Sequence, residues 1–230
     1  MTTRFLPRWE LGGVTGAVVA IDVLRAFTTA AYAFGAGADE IYLVATVDEA
    51  IAFTHSYPGT LAMGEERGKR PEGFHFSNSP VEVAREDLTG RTLVQRTSAG
   101  TQGVIAAANA TRLWCASLVC ATATARAINE SGLGPPAYVI TGRFQNGPHD
   151  AGSDDVVCAD YIERIRTGLP VDDAACIDRI ANSGEAVRTL LLGEGHANPD
   201  DIVFATRIDA FKFSMEVTRN RMGLCLRANR

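Results

Sequence analysis

The chain alternates short β-branched runs with longer stretches whose polar starts and small apolar residues read as helices. Residues 1–13, with Arg4, Pro7, Arg8, Trp9 and two glycines, read as an edge segment or turn. The run Val18-Val19-Ala20-Ile21 is the first core strand; it ends in a carboxylate, Asp22, with Arg25 close behind. An Ala-rich helix over 26–36 follows and stops at Gly35-Ala36-Gly37-Ala38. A strand over 40–45 leads to Thr46-Val47-Asp48-Glu49, an N-cap with acids in the first turn of a helix reaching about residue 56. Residues 61–63 form a short strand that stops at Gly64-Glu65-Glu66-Arg67-Gly68.

The next stretch, through Arg70, Pro71, Gly73 and Phe74 to Ser77-Asn78-Ser79-Pro80, is long, polar and broken by Gly and Pro, as functional loops are. Ser79 is placed as the N-cap and Pro80 as the first residue of a helix to about residue 86. A strand over 91–96 enters the hydroxyl-rich turn 97–103, and a helix over 104–109 follows. A strand at 113–116, a helix at 121–130 and a strand at 138–141 come next, the last ending at Gly142-Arg143. A loop through Asn146, His149 and Gly152 then meets Ser153-Asp154-Asp155, which opens a helix over 156–166. Beyond Asp172 the pattern predicts helices around 174–180 and 184–192, a polar loop over 193–199, and a terminal segment rich in aromatic and β-branched residues.

Strand and helix in alternation predict an α/β fold: three layers, α/β/α, around a mostly parallel sheet that has room for mixed strands. Residues 1–230 read as one domain, with the Gly/Pro cluster at 131–136 as the place where two lobes would hinge.

Composition narrows the function. A chain that is 46% hydrophobic and 21% charged buries a large core and is not disordered. Its net charge of -5 argues against a general nucleic-acid binder, which needs a basic face, and leaves room for a local basic pocket. Positive charge is nearly all arginine, Lys69 and Lys212 being the only lysines; that suits oxyanion grips, but a GC-rich genome gives the same bias and is the weightier reading. Five cysteines without CxxC spacing predict free, buried thiols in a reducing cytosol. The amino terminus lacks a signal-peptide pattern and no apolar run is long enough to span a membrane, so the expected location is cytoplasmic.

Several chemical patterns fail. Cys120 and Arg126 have the Cys-x5-Arg spacing of thiol phosphatases, but the intervening residues contain no glycine for the anion-binding turn. Leu24 stands where aspartyl-phosphate phosphatases carry a second aspartate. His55, His75, His149 and His196 lack HExxH or paired spacing. What remains gathers after strands: Asp22 with Arg25, Glu65, Asn78 with Ser79, the turn Thr97-Ser98-Ala99-Gly100-Thr101, and Asp154 with Asp155. Asp22 reads either as a site residue in the crevice beyond the strand ends or as a cap of the next helix. The 97–101 turn reads either as a phosphate cradle or as an ordinary capped turn. Asp154 and Asp155 either complement a helix dipole or hold a hard cation. Carboxylates beside hydroxyl and amide donors suit magnesium-assisted phosphoryl transfer, with Asp22, Glu65, Asp154 and Asp155 as candidate metal ligands.

Taken together, Ile21-Asp22-Val23-Leu24-Arg25-Ala26 with Thr28-Thr29, Gly64-Glu65, Gly73-Phe74, Asn78-Ser79-Pro80, Thr97 with Gly100-Thr101, and Asp155 with Cys158-Ala159 resemble the 2-phosphosulfolactate phosphatase family of coenzyme M biosynthesis. The resemblance runs in order over about 18–165. It implies an Mg2+-dependent phosphatase that converts 2-phospho-3-sulfolactate to 3-sulfolactate and phosphate. By that analogy Asp22, Glu65 and Asp155 form the acidic centre, while Arg25, Asn78, Ser79, Thr97, Gly100 and Thr101 hold substrate oxyanions. Ala99 stands where the family commonly has Asn, and His75 and Ser77 replace an Asp and a Gly before Asn-Ser-Pro. These departures leave two alternatives open: a phosphatase of another small phosphorylated hydroxy acid, or a catalytically silent anion-binding protein of the same fold. Attack by water and attack by Asp22 are both compatible with the residues. A homodimer is the default expectation.

Overall fold

The computed structural model describes residues 4–230. Strand β1 (Arg4–Pro7) runs into a 3-10 turn at Arg8–Glu10, and β2 (Ala17–Ile21) is buried at every residue. Burial on both faces is why β2 is an unbroken apolar run instead of an alternating one. Helix α1 (Ala26–Gly35) is buried along almost its whole circumference, and its alanines let neighbours approach from every side. Strand β3 (Glu40–Leu43) leads to α2 (Val47–Ser56) through a capping box, in which Thr46 Oγ1 accepts the Glu49 N–H and Glu49 Oε2 accepts the Thr46 N–H, each at 3.1 Å.

Strand β4 (Leu61–Gly64) precedes the long polar loop and α3 (Pro80–Val83), a single turn that stops short of residue 86. Strand β5 (Thr92–Arg96) is followed by α4 (Gly100–Ala106), which starts four residues before the expected position and so takes Gly100 and Thr101 into the helix. The reason is local: the Thr97 N–H donates to Thr101 Oγ1 and the Thr101 N–H to Thr97 Oγ1, each at 3.0 Å, closing the turn on itself. The chain continues through β6 (Arg112–Ala116), α5 (Ala121–Glu130), β7 (Ala137–Ile140), α6 (Ser153–Thr167), α7 (Asp173–Ala181), α8 (Gly184–Leu190) and α9 (Asp201–Ala205). The aromatic and β-branched terminal segment is a hairpin of β8 (Ser214–Asn220) and β9 (Gly223–Asn229).

The described strands make one nine-stranded sheet of order β1-β7-β2-β6-β8-β9-β3-β5-β4. Strands β1, β7, β2 and β6 pair in parallel, as do β3, β5 and β4. The hairpin lies between these sets and pairs antiparallel with β6 on one side and β3 on the other. Three antiparallel steps reverse the direction of the second set. Even so, the carboxyl end of β5 meets that of β2: Gln95 Nε2 donates to Ala26 O at 2.9 Å, and Gly100 lies against Asp22. Twist of roughly 20–25° per pair, over the five pairs from β2 to β5, turns the strand direction by about 100–125°. The sheet thus coils around α1 and brings both carboxyl ends to the start of that helix.

Alternation along the second set separates two cores. Ile41, Leu43, Met63, Leu93 and Leu226 join the large core with α1, while Tyr42, Ala62, Val94 and Cys225 pack against Ala50 and Phe53 of α2. Helices therefore cover both faces of the sheet, the α/β layering expected from the element order. All five cysteines are free and buried. Among the described residues no helix is long and apolar enough to cross a membrane.

Candidate functional site

Three buried carboxylates meet where β2 ends. Asp22 follows the strand directly, and its Oδ1 accepts the Ala26 N–H at 2.8 Å, so it satisfies a donor in the first turn of α1 as a cap would. Asp154 and Asp155 lie in the first turn of α6 and reach across to the segment after β2. Asp155 Oδ1 accepts the Val23 N–H at 3.0 Å and its Oδ2 the Gly142 N–H at 2.8 Å; Asp154 Oδ2 accepts the Leu24 N–H at 3.2 Å. The two acids clamp the backbone of 23–24. Asp154 Oδ1 is buried without a partner. The Thr141 hydroxyl lies 2.8 Å from Ile21 O and 3.3 Å from Asp22 Oδ2, so one proton serves two acceptors and the contact to Asp22 is the longer. Asp22 Oδ2 and Asp154 Oδ1 are therefore the under-satisfied oxygens of the cluster.

Glu65 closes the site from β4. Its Oε1 accepts the Ser98 N–H at 2.5 Å, and its Oε2 accepts the Gly68 N–H at 2.6 Å and the Ser98 hydroxyl at 3.0 Å. It braces the 97–101 turn, with both of its oxygens engaged. Gly100 sets the distance between that turn and Asp22: a Cβ there would lie 2.7 Å from Ala26 Cβ and 2.8 Å from Asp22 Oδ2. Gly100→Ala is expected to push the turn off the carboxylate, lowering turnover by about 100-fold with little change in KM, since misplacement on the order of 1 Å costs that much. Steady-state kinetics check it.

Burial, and next the charge of Glu65, push the Asp22 carboxyl up to about 7, against the pull of the Ala26 N–H. Asp154 and Asp155 are raised by burial first; Glu185 and Asp22 add to the effect on Asp154, and Asp154 and Asp22 to that on Asp155. Such acids resist ionising together, and a cation relieves them. Among the described residues no three His, Cys, Asp or Glu side chains converge as a metal cage. Mg2+ commonly needs less, one or two carboxylates completed by water and phosphate. Asp22 Oδ2 and Asp154 Oδ1 fit that partial set, whereas Glu65 and Asp155 already spend both oxygens on backbone N–H groups.

Arg25, Ser79 and Asn78 belong to an adjoining cluster. Arg25 Nη1 donates to Asp201 Oδ2 at 2.7 Å and to His196 O at 3.0 Å, and the Ser79 hydroxyl donates to Asp201 Oδ1. The Asn198 N–H also donates to Asp201 Oδ2, at 2.9 Å. The oxyanion that Arg25 and Ser79 hold is thus a carboxylate of the protein itself. Asn78 Oδ1 is buried and unpartnered. Ser79 also lines a cavity of about 500 Å3 with Arg70, Arg85 and Asn198, whose wall includes neither Asp22 nor Asp155.

Sequence reasoning missed Asp201, Thr141 and Arg8. The run Asn198-Pro199-Asp200-Asp201, a turn opening a helix, was the available signal for the first. Arg8 follows edge strand β1, donates to Ser98 O at 3.1 Å and lies over the Phe144 ring at 5.0 Å. With Trp9, Phe144 and Asn146 it walls a cavity of about 530 Å3 beside the 97–101 turn.

Comparison with known proteins gives a consistent picture. A family model described as 2-phosphosulpholactate phosphatase matches residues 8–219. A probable 2-phosphosulfolactate phosphatase of Bacillus subtilis (strain 168) is 36% identical over 203 residues, covering 88% of this chain and 87% of the relative. Proteins of the same description from Deinococcus radiodurans, 36% identical over 181 residues, and Cyanothece sp., 32% over 169, cover 74% and 71% of this chain and 72% and 68% of their own lengths.

Proposed function

We propose, from the premise that the chain belongs to the 2-phosphosulpholactate phosphatase family and is a phosphoric monoester hydrolase, that it converts 2-phospho-3-sulfolactate to 3-sulfolactate and phosphate with Mg2+. The observation that carries the reading is the buried acid cluster of Asp22, Asp154 and Asp155, with the 97–101 turn resting on Asp22 through Gly100, where a Cβ would not fit. In this reading the phosphoryl group lies beside the contact of the 97–101 turn with Asp22, where the N–H groups opening α4 have no intrahelical acceptor, that of Thr101 being taken by Thr97 Oγ1. Glu65 keeps that turn in place, and Asp155 fixes the backbone on the other side. Asp22 and Asp154 would hold Mg2+, which when bound offsets charge on the phosphoryl oxygens and lowers the pKa of a water.

Arg8 spends one N–H on Ser98 O. Arg8 lines the cavity beside the turn, and a guanidinium there suits the sulfonate or carboxylate end of the substrate. Arg8→Ala is expected to raise KM for the sulfonated substrate about ten-fold while changing kcat little, because the guanidinium would hold ground state and transition state equally.

The direct test is phosphate release from 2-phosphosulfolactate, with and without Mg2+, beside a panel of phosphorylated hydroxy acids. Turnover that requires Mg2+ and favours the sulfonate is the expected result. Activity confined to other hydroxy acids would transfer the reading to a pocket altered by Ala99 and His75. Binding of phosphate without any turnover would overturn it in favour of an anion-binding protein.

A further inference from the structure

At the opposite end of the sheet, a cavity of about 270 Å3 is walled by Arg112, Arg126, Lys212 and Arg230, with Ser214 and Glu130 among the remaining residues. Register fixes how far it lies from the acids. Arg112 pairs with Ala17 at the start of β2, and Asp22 follows Ile21 at that strand's other end. At about 3.3 Å per residue, the strand alone separates the two ends by roughly 13 Å.

Arg112 is neutralised by Glu216, which accepts from its Nε and Nη2 at 2.7 Å each. Arg126, Lys212 and Arg230 make no ion pair among the described residues, and Glu130 is the one carboxylate side chain in the wall. With Glu130 and Glu216 both counted against the cations, the surroundings stay net positive, in a protein whose own charge is -5. Like charges gathered around one concavity raise the free energy of the empty state and favour an anion inside it.

We propose that this cavity is a binding site for a small polyanion of the phosphate class, carrying at least two negative charges and bound apart from the catalytic acids. Size limits the ligand. At roughly 30 Å3 per water the cavity corresponds to about nine waters, room enough for a pyrophosphate or a small phosphorylated acid and too little for a nucleotide-sized ligand. Guanidinium forks supply the bidentate contacts that phosphate oxygens prefer.

The two tryptophans make the test local. Trp114 is buried with its Nε1–H unpartnered, and the Arg112 guanidinium lies 4.8 Å from its ring; Trp9 lines the cavity beside Arg8 at the catalytic end. The whole protein, labelled with 15N, is titrated with inorganic pyrophosphate in metal-free buffer, and the two indole resonances are assigned with Trp9→Phe. The expected result is a saturable shift of the Trp114 resonance, with affinity falling about ten-fold or more in Arg126→Glu/Lys212→Glu. Both substituted side chains are exposed, so an unchanged Trp9 resonance in the free variant certifies its fold; Arg126→Gln/Lys212→Gln serves if it is not. No Trp114 shift, a shift reproduced by sodium chloride at equal ionic strength, or equal affinity in the double variant would each overturn the site. Failure of the phosphatase reading would leave these outcomes unchanged.

Discussion

Asp22→Asn is expected to lower phosphate release by about 1,000-fold or more while making the metal-free fold more stable at pH 8. Both effects come from one buried charge. The carboxyl titrates at about 7 in the folded chain, against a reference value of 3.8. Because the folded state holds the proton more tightly, the contribution of this group to stability falls as pH rises from about 4 to about 7, then stays level. Three units correspond to at most about 4 kcal/mol. Asparagine has the same shape and can still accept the Ala26 N–H, but it never ionises. The melting temperature of the variant minus that of the natural chain, measured in chelator, should therefore be small at pH 4 and grow to a plateau above pH 7. Normal turnover in the variant would refute the catalytic assignment, and a difference independent of pH would refute the charge argument.

Asp201→Ala is expected to destabilise the fold by about 3–5 kcal/mol, a fall in melting temperature of roughly 6–20 °C for a chain of this length. Arg25 is 3% exposed and Asp201 is fully buried, so truncation leaves the guanidinium, among the described residues, with a backbone carbonyl, His196 O, as its remaining hydrogen-bond acceptor. The Ser79 hydroxyl and the Asn198 N–H lose their acceptor in the same step. Replacing both charges, as in Arg25→Met with Asp201→Leu, should recover much of the loss, because the penalty lies in the orphaned charge more than in the missing attraction. Thermal unfolding of the single and double variants decides it; a double variant as unstable as the single would sink the explanation.

The legible parts of this molecule were local in sequence. The β2 run, its terminal Asp22 and the acids opening α6 each announce themselves within a few residues, and so does the Thr46 cap. The boundary of α4 was misplaced because Thr97 and Thr101 look like loop residues until their reciprocal hydrogen bonds are seen. Arg25 was expected to hold substrate oxyanions, whereas the carboxylate it meets is Asp201, 176 positions away, and nothing near Arg25 points there. The terminal hairpin was recognisable as apolar and β-branched. Its insertion between β6 and β3 depends on pairings across 100 residues or more, which no local pattern encodes.

That insertion has a consequence for how the protein comes into being. During synthesis β6 and β3 are both made long before the strands that will join them, so each waits with an open edge able to capture another chain. Asp22 and Glu65 sit on opposite sides of this gap and belong to one sheet only once the chain has reached about residue 229. A ribosome-bound chain halted before β8 should therefore hold two separate half-sheets and no phosphatase, and contacts so distant in sequence make closure a slow, late event. Strands β8 and β9 are the keystone that joins the two half-sheets into one.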